Sequence, residues 1–192
     1  MPSHPDGGTI AAMDEHTRKR HSRRMSLVLR HQPERVGLQL DAAGWVPVAD
    51  LLAALGLSRD QLDEILRTND KQRFAVRTGP DGTDHIRANQ GHSVPVDLGL
   101  ATAAPPDLLF HGTSASALAS IRSTGLHRGS RHHVHLSPDR PTAQRVGARR
   151  SGPVVILAVD AAGMARDGHT FHRSDNGVWL TDAVPPAYLT VS

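Results

Sequence analysis

Cysteine is absent from the 192 residues, which excludes disulfides, thiolate metal sites and a cysteine nucleophile. Aromatic residues make up only 3% of the chain, so any core has to be built from Leu, Val, Ile and Ala. No apolar run approaches the roughly 20 residues of a membrane-crossing helix. Met1 to Arg20 is polar and charged with no apolar centre, unlike a secretory signal. These absences lead to the expectation of a soluble, cytoplasmic chain. Two nucleotide signatures are missing too. Without a Gly-x-x-x-x-Gly-Lys-Ser/Thr loop the chain does not read as a P-loop nucleotidase, and without Gly-x-Gly-x-x-Gly between a strand and a helix it does not read as a dinucleotide dehydrogenase.

The net charge is +3 with histidines counted neutral, and 13 histidines add further donors. Arginine dominates the basic set, and its planar fork suits paired, charge-assisted bonds to phosphate oxygens. The length fits one or two compact domains.

Residues 1–16 mix Pro, Gly, Ser, Asp and His without periodicity and read as a flexible tail. A helix is expected over Thr17–Arg30, with Met25, Val28 and Leu29 on one face, ended by Gln32-Pro33. Val36, Leu38 and Leu40 alternate before an Asp41 to Gly44 turn. A second helix carries Val48, Leu51, Leu52 and Leu55, with Gly56 as its C-cap. For a third, Ser58 and Gln61 form a capping box, flanked by the staple pair Leu57 and Leu62. Phe74 and Val76 alternate, Gly79 to Gly82 turns the chain, and His85 to Arg87 returns it. Helices followed by a short two-stranded hairpin suggest a winged-helix module over residues 17–92, a type that usually binds nucleic acid; a small packing domain would have the same pattern. A linker rich in Pro, Ala and Thr is expected over 93–107. The pattern then changes to short strands at Leu108–Phe110, Val134–Leu136, Val154–Val159, Val178–Leu180 and Tyr188–Val191. Helices lie between them around Leu118 and Ile121 and from Asp139 to Arg150, which makes the class α+β over 108–192.

Five constellations carry chemistry. Leu29 to Pro33 puts Arg30 and His31 at a helix exit, where two adjacent donors could hold a phosphate. Asn69 to Phe74 is a polar run, with Lys71 and Arg73, entering a strand. His111-Gly112-Thr113 ends an apolar strand, where glycine permits close approach of a ligand to the backbone. In Arg131 to Ser137, strand alternation puts His133 and His135 on one face; imidazoles are zinc ligands, but no carboxylate follows nearby to complete a metal site. Ser174 to Leu180 is a turn feeding a strand.

In this order, and with Gln90-Gly91-His92-Ser93 added, these blocks closely resemble the NAD⁺-dependent RNA 2′-phosphotransferases, the Tpt1/KptA family, from about Arg24 to Leu189. The resemblance implies an N-terminal winged-helix lobe and a C-terminal lobe of ADP-ribosyltransferase fold. It places the family's Arg-His-Arg-Arg tetrad on Arg30, His31, Arg73 and Arg131 as catalytic residues, with Lys71 assisting at the substrate phosphate. It places the NAD⁺ pocket on His111, Gly112, Thr113, His135, Ser137, Asn176 and Val178. Protein-modifying ADP-ribosyltransferases commonly have a glutamate where Val178 stands.

The implied substrates are an RNA bearing an internal 2′-phosphate, as arises at some tRNA splice junctions, and NAD⁺, which is consumed. No metal and no membrane are expected, and the chain is expected to act as a monomer. In the implied chemistry the phosphate, nearly a dianion at neutral pH, attacks C1″ of NAD⁺ and nicotinamide leaves. The ribose 2″-hydroxyl then attacks phosphorus, releasing 2′-OH RNA and ADP-ribose 1″,2″-cyclic phosphate. Two other outcomes fit a related chain: an enzyme that caps terminal phosphates with ADP-ribose and stops there, and a silent RNA-binding module.

Overall fold

A computed structural model describes residues 13–69, 72–149 and 152–192. Most of the expected tail lies outside them. Helix α1 spans Glu15–Arg30 and starts two residues before the expected Thr17, because the Asp14 carboxylate accepts from the Thr17 amide and caps it. Its buried face is Met25, Val28 and Leu29, as the spacing requires. Pro33–Val36 is a short 3-10 turn, closed by Gly37 in the left-handed region. The alternation of Val36, Leu38 and Leu40 yields no strand, since the chain stays irregular up to β1, Val46–Pro47.

Helix α2, Val48–Leu55, ends at Gly56, whose positive φ lets its amide close the last turn. Helix α3, Arg59–Arg67, has both halves of the Ser58–Gln61 capping box. Strands β2, Phe74–Thr78, and β3, Asp84–Ala88, form the expected hairpin. Val46 and Pro47 add a third strand by pairing antiparallel with Ile86 and His85. At two residues, β1 is too short to show a period.

Strand β4, Leu108–Ser114, leads to α4, Leu118–Thr124, and β5, Leu126–His127. Then come β6, Val134–Leu136, and α5, Arg140–Gly147, which Asp139 caps through the Thr142 amide. Strand β7, Val154–Asp160, runs into α6, Ala161–Arg166. The chain finishes with β8, His172–Arg173; β9, Trp179–Thr181; β10, Ala183–Val184; and β11, Leu189–Val191. The fold is mixed α/β, and among the described residues the strand pairings are antiparallel: β1-β3-β2, β11-β7-β4, β6-β9-β8 and β10-β5. Val178 falls one residue short of β9, and the Tyr188 end of the last expected strand is a 3-10 turn.

Two hydrophobic clusters form. One gathers Met25 through Ala88 and the other Leu109 through Val184. Residues 93–107 are held from both sides. Ser93 and Val94 amides donate to the Arg30 carbonyl, Asp97 to that of Ala42, and Ala103 to that of Phe171. No helix among the described residues is long and apolar enough to cross a membrane.

Candidate active site

Arg30 is the last residue of α1 and His31 its C-cap. A helix C-terminus favours cations, yet Arg30 is largely surrounded by protein and by other cations. Burial, then Arg73 and Arg131, lower its pKa to about 10. It therefore stays charged at neutral pH, held beside like charges that an anion would offset. Arg30 Nη2 lies 3.5 Å from the Arg73 carbonyl. His31 Nδ1 shares a 2.9 Å hydrogen bond with the Ser93 hydroxyl. Burial, then Arg30 and Arg131, push the His31 pKa below its usual value.

Arg73 enters β2 from a strained position. Gln72, just before it, has φ of 40°, a left-handed conformation uncommon outside glycine. Three bonds enforce it. The Gln72 amide donates to Asn69, the buried Asn89 side chain donates to the Gln72 carbonyl at 2.6 Å, and the Asn89 amide donates to the Arg73 carbonyl. Arg73 Nη1 in turn donates to Asn69 Oδ1 at 3.0 Å. Lys71, expected to assist here, lies outside the described residues.

Arg131 comes from the loop before β6 and donates through Nη1 to His135 Nδ1 at 3.4 Å. That lone pair requires a neutral imidazole, and burial, then Arg131 and Arg30, hold the His135 pKa down at about 3. A Cβ on Gly91 would sit 3.5 Å from His135 Cε1 and 3.8 Å from Arg30 Nη1. Gly91, with φ of 90°, is thus the point where candidate site residues from the two halves of the chain meet. Arg30, His31, Arg73 and Arg131 share one electrostatic neighbourhood, although they come from α1, the start of β2 and the loop before β6.

The second group of expected residues lies along β4 and β6. A bridge pairs Phe110 with Ser137, and His111 Nδ1 is 3.1 Å from the His135 carbonyl. A carbonyl only accepts, so His111 carries its proton on Nδ1. Thr113 is buried at the end of the strand. Gly112 has a packing use as well: a Cβ there would collide with the Ala143 carbonyl of α5. Its missing side chain makes room for α5 against β4. Register puts Val178 one step past the Leu136–Trp179 pair, next to Ser137. Asn176 sits at the tip of the β8–β9 turn, its Oδ1 2.7 Å from the Ser174 hydroxyl. The structure joins His111, His135, Ser137 and Val178 into one strip, while Asn176 is tied to its own turn.

Three residues outside the expected set stand out. Asn89 positions Arg73, and Ser93 holds His31. His92 is 1% exposed, and neither ring nitrogen has a partner. Burial, then Arg30, lower its pKa to about 4. All three belong to the run Asn89 to Ser93, whose Gln-Gly-His-Ser block was the available signal. Among the described residues, no group of three or more histidine or carboxylate side chains is arranged to hold a metal ion.

A family model described as RNA 2′-phosphotransferase, Tpt1/KptA family, matches residues 16–183. A probable RNA 2′-phosphotransferase of Streptomyces griseus is 55% identical over 92% of this chain and 98% of its own. Proteins of the same description in Streptomyces coelicolor and Rhizobium rhizogenes are 57% and 51% identical. Each match covers 88% of this chain, with 92% and 91% of the relatives' lengths.

Proposed function

Because this chain belongs to the RNA 2′-phosphotransferase, Tpt1/KptA family, we propose that it transfers an internal 2′-phosphate from RNA to NAD⁺. The observation that carries the reading is the convergence of Arg30, His31, Arg73 and Arg131 at one point between the two cores. Such mutual repulsion among arginines is costly until an anion of matching charge arrives. A phosphate monoester, with its second ionisation near pH ~6, is that anion.

In this reading residues 17–92 are a winged-helix RNA-binding lobe, 93–107 a linker, and 108–192 a lobe of ADP-ribosyltransferase fold. The third strand β1 beside the β2–β3 hairpin and the all-antiparallel sheets of the second half are compatible with those assignments. NAD⁺ would lie along His111, Gly112, Thr113, His135, Ser137 and Val178, with Asn176 at the edge. Two features support the fit. The neutral His135 adds no charge beside a cationic nicotinamide ribose. The apolar Val178 beside Ser137 leaves no carboxylate to compete with the incoming phosphate.

The residues then have the following roles. Arg30, His31 and Arg73 grip the 2′-phosphate, with Lys71 assisting, and aim one oxygen at C1″ while nicotinamide departs. The transition state is oxocarbenium-like, as in glycoside cleavage. In the second step the 2″-hydroxyl attacks phosphorus and the RNA 2′-oxygen leaves. Fixed positive charge from Arg73 and Arg131 stabilises that phosphoryl transfer. His31, with its lowered pKa, is neutral at pH 7 and suited to take the 2″-hydroxyl proton. The products are 2′-OH RNA, ADP-ribose 1″,2″-cyclic phosphate and nicotinamide. No metal is needed in this scheme, and the proposed setting is a cytoplasmic monomer.

The test is nicotinamide release. Release that requires RNA carrying a 2′-phosphate, and is absent with the matched 2′-OH RNA, is the expected result. Release independent of the phosphate would contradict the reading.

A further inference from the structure

Between the two cores lies a cleft of about 160 Å³ that the tetrad roles leave without an occupant. Val96, Leu98 and Leu100 line it from the segment joining the halves, and Leu180 of β9 from the other side. His92, Gln90 and Asp97 supply polar groups, and further imidazoles, His132 among them, complete the wall. The His92 and His132 ring centroids are 6.5 Å apart. Aliphatic and imidazole surfaces around a few polar atoms suit a flat ring with apolar faces and a hydrogen-bonding edge. A bare phosphate would find the aliphatic walls unfavourable.

His92 points to a ligand independently of the wall composition. It is a buried side chain that leaves both nitrogens unsatisfied, an arrangement native proteins rarely keep without a use. Its Nε2 backs onto the turn at Gly44, where a Cβ would lie 3.5 Å away, and its ring forms part of the cleft wall.

Position identifies which ring. The cleft reaches Gly91 and His135, and Gly91 abuts the Arg30 guanidinium. In a nucleotide the base leaves C1′ and a 2′-phosphate leaves the neighbouring C2′, so the two lie about one ribose width apart. We propose that the cleft is a nucleobase pocket, receiving the base of the very nucleotide whose 2′-phosphate Arg30 grips, with His92 and Gln90 at the base edge. This rests on the 2′-phosphate reading above and extends it to substrate recognition.

The experiment compares KM for two oligoribonucleotides with the wild-type protein. One carries an intact 2′-phosphorylated nucleotide. The other lacks the base at that nucleotide only, and a control lacks a base two nucleotides away. Removing the local base is expected to raise KM about tenfold, a typical value for one stacked base, with the distant abasic control unchanged. Leu98→Trp, which fills the cleft from a half-exposed wall, is expected to raise KM for the intact RNA to that of the abasic RNA. Equal KM for intact and abasic RNA would overturn the pocket alone. A rise in KM for NAD⁺ in L98W would assign the cleft to nicotinamide and likewise overturn it. Absence of turnover with every RNA would instead remove the 2′-phosphate reading, and this one with it.

Discussion

Arg30 sits where three cations meet, and the chemistry of the site follows from how each of them is fixed. Arg30→Lys keeps the charge and loses the planar fork, so the proposed phosphate grip would fall from paired to single bonds. The expected outcome is a KM for RNA raised about tenfold or more, with KM for NAD⁺ little changed. In the proposed mechanism Arg73→Ala removes a stabiliser of the second step. By analogy with donors to developing charge, the loss should be about 10²–10³ in rate, accompanied by build-up of RNA-2′-phospho-ADP-ribose on gels. Loss of intermediate and product alike would move Arg73 to substrate binding or the first step. His31 has its pKa lowered by burial, then by Arg30 and Arg131. As a base it works when neutral, so kcat should fall as pH drops through a value below the usual 6.5. His31→Gln should remove that acid limb, and an unchanged limb would mean another group titrates.

Among the elements, β4 and α5 pack closely. A Cβ on Gly112 meets the Ala143 backbone, and one on Gly147 meets Val154 Cγ1 and the Gly112 backbone. Gly112→Ala should therefore cost about 1–3 kcal/mol by overpacking, seen as a lower melting temperature. Ser58→Ala, which breaks the α3 capping box, should cost about 1 kcal/mol and leave kcat unaltered, since Ser58 caps the opposite end of α3 from Asn69, the residue that holds Arg73. Elements with strong local signals were legible in the sequence: the capping box, the Met25/Val28/Leu29 stripe, the β2–β3 hairpin and the apolar run of β7. Strands β1, β5, β8 and β10 were not, because each has two residues and exists only through its partner. Val36 to Leu40 had a strand's alternation, but Pro33 and Gly37 closed a 3-10 turn there instead. At the site, residue types and order pointed to the tetrad. No local pattern signals that Asn89 strains Gln72 to aim Arg73, or that Gly112 serves α5, since both depend on contacts made across the fold.

At the scale of the whole molecule, the two cores meet across histidines kept neutral by burial. His92, with a pKa near 4, faces Arg30, His132, His31 and Arg87. His135, with one near 3, faces Arg131, Arg30, His133 and His111. An unfolded chain would protonate both near pH 6.5. Below that pH the unfolded state binds more protons, so stability falls as pH drops. The stabilising contribution is fully present above about 6.5 and is lost as pH falls toward the folded-state values. The melting temperature should therefore decline between pH 7 and pH 5, and His92→Gln should flatten that slope. A flat profile in the unmodified protein would contradict the neutral, buried state assigned to these imidazoles. The same meeting of the cores brings the arginines proposed to grip the phosphate next to the His111–Ser137 strip, so the proposed mechanism has both substrates held at one seam. The most direct measurement follows a single radiolabelled internal 2′-phosphate through a reaction with NAD⁺ and the purified protein. The account predicts label in ADP-ribose 1″,2″-cyclic phosphate and an RNA left with a 2′-hydroxyl. Label that stays on the RNA, whether as the untouched phosphate or capped by ADP-ribose with no further step, would contradict it.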